Sequence, residues 1–351
     1  MTANYTTYTL FALICLTLLT LPFIPAFMEW LRPTDTAPLS ISANYASDID
    51  HFARRLKADV AAKQGTGAAT GYEDFAYVTD QTSEADWKNA SKRMISTHSI
   101  ESSWPVQTKP ALYVQGNILT TNGSSFTALY AAGDIDLGEQ SEVLDWAHAG
   151  HSLYMGAGSI ALRRISAGDI IELGNEAWFE RVDAPTIRFG KSFYVHTMLD
   201  KKLPVSDAQV AGDFAALPNV IAQTPSVFLV RGDCTLPADT RYSGSLIVTG
   251  FLRIGARTTV KGDLKARGGV SIGPGALVEG AITCEDRIHL WHGVRVSGPV
   301  ISERQILVGA HAVVGSLQAP TTISAHTIIM ESGSMAHGAV WASQLGMVKT
   351  A

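Results

Sequence analysis

The chain has 351 residues, room for one large domain or two modest ones. Hydrophobic residues make up 46% and charged residues 17%, with a formal net charge of -5. No basic face, arginine-glycine run or aromatic-basic interleaving is present, so a nucleic-acid partner is not expected.

From Leu10 to Trp30 the sequence is almost wholly apolar, about the 20 residues that a bilayer-crossing helix needs. Residues 1–31 therefore read as an N-terminal transmembrane anchor, with Leu10, Leu16, Leu19, Phe23 and Phe27 in the bilayer and Trp30 at its interface. A cleaved signal peptide fits less well, because nothing basic precedes Leu10 and Glu29-Trp30-Leu31 is a poor cleavage site. Lysine and arginine near the segment fall on its C-terminal side, at Arg32, Arg54, Arg55 and Lys57, which places the bulk of the chain in the cytoplasm.

Residues 32–110 read as a linker and a helical segment. Ser47 offers an N-cap, and Ile49, Phe52, Ala53, Leu56 and Val60 follow at helical spacing until Gly65 and Gly67. The stripe is expected to cap the solenoid or pack on a neighbouring segment, with pairing against another copy as the alternative. A second, weaker helix spans Glu84 to Ile95. Strand-like alternation begins at Leu112, and residues 111–193 read as an irregular β-solenoid section, with a small separate β-domain as the alternative. Residues 194–225 interrupt the pattern as an insertion or boundary, with a helix expected around Asp207 to Leu217.

Residues 226–342 carry the clearest signal. One residue in six forms a column: Tyr242, Val248, Ile254, Val260, Ala266, Ile272, Val278, Cys284, Leu290, Val296, Ser302, Val308 and Val314. All but Ser302 are apolar or aromatic. Gly244, Gly262, Gly280 and Gly298 recur every eighteen residues beside it, so three hexads make one turn. The fold class is mainly β: a three-sided β-helix in which stacked turns bury the column and corner glycines permit tight backbone geometry. Residues 343–351 are left as a tail.

The turns Val260-Lys-Gly-Asp-Leu-Lys-Ala, Val278-Glu-Gly-Ala-Ile and Val296-Ser-Gly-Pro-Val-Ile-Ser resemble those of the bactofilins, and Ile329-Met-Glu-Ser-Gly-Ser-Met-Ala-His-Gly resembles that family's terminal turn. The resemblance covers roughly Ser245 to Ala342. It implies a bacterial cytoskeletal protein that polymerises end to end without nucleotide, with Ile329, Met335 and Val340 as the contact between copies. Partners would be further copies of the chain, the membrane, and unidentified membrane or envelope-biogenesis proteins. A large N-terminal block could instead stop one end from stacking.

Two other classes share the periodicity. Hexad repeats also mark left-handed β-helix acyltransferases, which need a histidine base on a projecting loop. The candidates are His289, His292, His311, His326 and His337 within the turns and His196 in the interruption. An exported surface protein that binds carbohydrate would use exposed aromatics such as Trp146, Trp178 and Trp291. No residue pattern singles out a catalytic group. The glycines are explained by corners, not by a phosphate loop, so no cofactor is expected. Cys15, Cys234 and Cys284 lack CxxC spacing, so no zinc site or disulfide framework is implied.

Overall fold

The computed structural model describes residues 2–24, 49–65, 75–79, 82–190 and 209–350. They fall into two units, Met1–Asp48 and Ile49–Ala351.

In the first unit, helix α1 (Thr2–Thr20) runs into a 3-10 turn, Leu21–Phe23. Of the apolar run expected to form a helix over Leu10 to Trp30, residues 10–24 lie within the described residues. The helix starts at Thr2, taking in Asn4, Thr6, Thr7 and Thr9 before Leu10, and α-geometry gives way after Thr20 to the 3-10 turn that holds Pro22, which has no amide hydrogen to donate. Within α1 the apolar stretch from Leu10 to Thr20 rises roughly 16 Å at about 1.5 Å per residue, against a hydrocarbon core of about 30 Å. Among the described residues no helix is long and apolar enough to cross a membrane. Leu10, Leu16, Leu19 and Phe23 are all exposed, while Phe27 and Trp30 lie outside the described residues.

The second unit begins with helix α2 (His51–Gly65). Its stripe of Ala53, Leu56 and Val60 is buried against Phe75, Ile95, Tyr113, Tyr130 and Trp146, which stand on successive solenoid turns. The helix therefore lies lengthwise on one face. Asp59 meets Arg93 at 3.1 Å near its far end, and the Arg164 guanidinium covers the Phe52 ring at 5.1 Å near its start. Ser47, the expected cap, is outside the described residues.

Helix α3 (Glu84–Asn89) is held by a capping box between Ser83 and Asp86 and buries Trp87. It is shorter than expected because Met94 and Ile95 belong to a strand, Arg93–Ser96, with parallel neighbours on both edges, Phe75–Tyr77 and Leu112–Val114. Pairing on two edges satisfies more backbone groups than extending a short helix would. Solenoid pairing thus starts at Phe75, ahead of Leu112.

Two solenoid sections follow. In the first, Leu112, Leu129, Ala147, Ile165 and Val182 stack in register from turn to turn. In the second, Leu246, Leu264, Ile282, Val300 and Ile323 do the same. Every member of the six-residue column is buried. Ser302, its one polar member, donates to the Asp286 carbonyl and accepts from the Arg304 amide, so the hydroxyl is not orphaned.

The second section opens with Val210–Ala211, a 3-10 turn at Phe214–Ala216 and the strand Val220–Thr224. Of the helix expected around Asp207 to Leu217, the described residues form that turn alone, capped by the Asp213 side chain. Phe214 stacks on Tyr242 at 4.7 Å and closes the start of the core, while Val220–Thr224 folds back antiparallel on Val227–Val230.

The expected glycine column divides: Gly244 and Gly262 have φ of +110° and +151°, as tight backbone geometry requires, and the later members do not. A second left-handed position is taken by Asp239, Arg257, Gly275, Gly293, His311 and Gly333, one per turn. Gly280 and Gly298 have ordinary φ; a Cβ on Gly280 would lie 2.4 Å from the Gly262 carbonyl oxygen, and one on Gly298 2.6 Å from that of Gly280. These glycines let successive turns stack closely.

Candidate assembly interface

The C-terminal residues do not trail off as a tail. Met335–Lys349 is one long closing strand that pairs parallel with Thr321–Glu331 on one side. On its other side it pairs antiparallel with Trp178–Phe189, the end strand of the first section. The two sections therefore meet at their C-terminal ends. The register joins Trp178 to Met347, Val182 to Val340 and Arg188 to Met335, so the pairing continues around all three faces.

The core runs through this joint. Val182, Phe189 and Val340 have no exposed surface, and the Phe179 and Phe189 rings lie 5.6 Å apart. Gly346 is required there, since a Cβ would stand 2.3 Å from the Phe179 ring. Around the rim, the Arg181 guanidinium lies 4.9 Å from the Trp341 ring. The Ser332 hydroxyl donates to Asn175 Oδ1 at 2.6 Å, His337 Nδ1 donates to the Pro185 carbonyl at 2.9 Å, and the Gly333 amide donates to the Phe189 carbonyl at 2.7 Å.

The residues expected to contact another copy sit in or next to this joint. Met335 and Val340 are buried on the closing strand, opposite Arg188 and Val182. Ile329 lies one strand further in, between Leu307 and Met347. The partners of the first two belong to the same chain. In the sequence Trp178 stood only as a candidate carbohydrate-binding aromatic, and nothing marked Phe179 and Phe189 as facing another section, although alternation through Phe179, Val182, Ala184, Ile187 and Phe189 is visible there.

The histidines considered as bases are spread over the surface. His289 stacks on Trp291 at 4.3 Å, and the Trp291 indole donates to Ser271 Oγ at 3.0 Å. His292 and His311 meet edge to face at 5.3 Å, and His326 bonds Ser343 at 2.6 Å. His337 is in the joint, and His196 lies outside the described residues. Burial pushes His289 and His311 below the ordinary imidazole range. Among the described residues no group of three histidine, cysteine or acidic side chains is placed to hold a metal ion.

A separate row crosses the first section under α2. Tyr113 and Tyr130 stack at 4.8 Å, His148 follows at 5.6 Å, and His148 Nδ1 bonds Ser166 Oγ at 2.8 Å. Burial holds His148 below the usual imidazole value, helped by Lys57 and Arg54 on α2. The unfolded chain thus takes up this proton first on acidification, and stability is lost as pH falls through about 6.5. Urea unfolding at pH 7.5 and pH 5.5 should show a smaller loss for His148→Gln than for the native chain. Equal losses would remove His148 as the cause.

Residues 234–341 match the family model described as Bactofilin: Polymer-forming cytoskeletal. The C-terminal third is bactofilin-like. The bactofilin match starts at Cys234, in the first regular turn, and ends at Trp341, so it includes Met335 and Val340 and stops partway along the closing strand. No curated protein and no solved structure matches the chain. The bactofilin description is that of a structural, cytoskeletal family.

Proposed function

We propose that the chain is a self-assembling β-solenoid scaffold that holds partner proteins at the cytoplasmic face of a bacterial inner membrane. The observation that carries the reading is the polymer-forming family match, laid on a solenoid whose parallel ladder is unbroken from Val227 to the closing strand. Repeating turns offer a regular surface, and assembly multiplies weak contacts with a partner through effective concentration.

Attachment to the membrane is assigned to α1. Its exposed Leu10, Leu16, Leu19 and Phe23 make an apolar surface that needs lipid or protein cover. The test uses the full chain in mild detergent without nucleotide. Sedimentation should show association that grows with concentration and ignores added ATP or GTP, and the chain should float with lipid vesicles unless Leu16 and Leu19 are changed to aspartate. A monomer at every concentration would overturn the scaffold reading.

A further inference from the structure

We propose that the first solenoid section is a built-in substitute for a second molecule. Resting on the scaffold reading, the inference is that Trp178–Phe189 occupies, within one chain, the end by which the bactofilin-like section would otherwise pair with another copy.

The strand directions carry the argument. Turn-to-turn pairing inside each section is parallel, as winding in one direction requires. The joint is antiparallel, which no continued winding can produce. Antiparallel pairing is instead what two solenoid ends adopt when related by a two-fold axis, the usual symmetry of a contact between copies. The register also shifts twice, between Phe179 and Arg181 and between Ala184 and Ile187, so this fit is not inherited from the eighteen-residue repeat.

An unpaired end strand is a template for another chain. Here it is covered on all three faces, with Val182 against Val340 at the centre and Arg181 over Trp341 at the rim. The other end of the second section is different. Among the described residues Val220–Thr224 pairs on one edge, with Val227–Val230, and Ile221 is 43% exposed, so that end is the one assigned to a second copy of this chain. With one end closed internally, the chain associates into a small, finite species. Opening the joint exposes the second end and permits extension.

Two variants in a Cys15→Ser background test this. Arg181→Asp with Trp341→Asp sets like charges directly opposite each other on the rim and leaves the core side chains intact. Asp183→Cys with Ala339→Cys, also directly opposite, staples the joint on oxidation. The staple should form within one chain, and the stapled protein should sediment as the native one does. The loosened variant should reach a weight-average mass several-fold higher at equal concentration, with fibres in negative stain. A staple that forms only between chains would overturn the inference. Filaments of equal length from native, stapled and loosened protein would also overturn it, while leaving the scaffold reading in place. No association in any form would remove both.

Discussion

Replacing Val340 with aspartate should destabilise the second unit by on the order of 4 kcal/mol, the largest effect expected of any single change at the joint. Val340 has no exposed surface and stacks between Ile323 of its own section and Val182 of the other. A carboxylate there loses its water and gains no donor, because its neighbours on both sides are aliphatic. The loss would not spread evenly. Stacked turns contact mainly their neighbours, so each section keeps its internal ladder when the joint is broken. Urea unfolding followed by tryptophan fluorescence should show two transitions where the native protein shows one. A single transition at the native midpoint would mean that the joint does not hold the sections together.

Gly280→Val should cost about 3 kcal/mol, and by a route that separates stacking from turn geometry. Gly280 has an ordinary φ, so a side chain there meets no conformational penalty. It meets the Gly262 carbonyl, with oxygen at 2.4 Å and carbon at 2.5 Å, and backbone in a ladder cannot swing aside as a side-chain tip can. Gly275 is the opposite case. Its φ is +66°, and a Cβ there would find only the Arg257 side chain, at 3.6 Å. Asp239, Arg257 and His311 already hold the same corner in other turns, so Gly275→Asn should cost less than about 1 kcal/mol. Thermal melts of the two variants side by side decide the matter. Equal costs would mean that Gly280 is needed for backbone conformation and not for close stacking.

Much of the second section was legible because the solenoid repeats one demand. Each strand needs an inward residue at a fixed spacing, and the column from Tyr242 to Val314 meets it throughout. The bactofilin resemblance followed from that spacing and coincides with the family match. The joint was not legible, since no local pattern distinguishes a strand that pairs within its own section from one that pairs across to another. Residues 343–349 lack the hexad rule because they pair with irregular Trp178–Phe189 as well as with Thr321–Glu331. The start of α1 was not legible either: hydropathy marks where the apolar run lies, but helical hydrogen bonding extends back to Thr2, a limit that does not follow from hydropathy. The short extent of α3 was set by tertiary pairing of Arg93–Ser96, which outweighed a local helical pattern.

The reversal of strand direction at the joint also bears on how the molecule responds to force. Interstrand hydrogen bonds in a solenoid point along its long axis, so a pull on the two tips loads every rung at once. Within a section each rung is backed by chain that winds directly into the next turn. At the joint it is not: the chain leaves at Phe189 and re-enters the ladder at Val210, at the opposite end of the second section. Under tension this boundary should therefore part first, as single-molecule pulling would read, and the stretch between Phe189 and Val210, whose contour reaches roughly 70 Å, should keep the halves tethered.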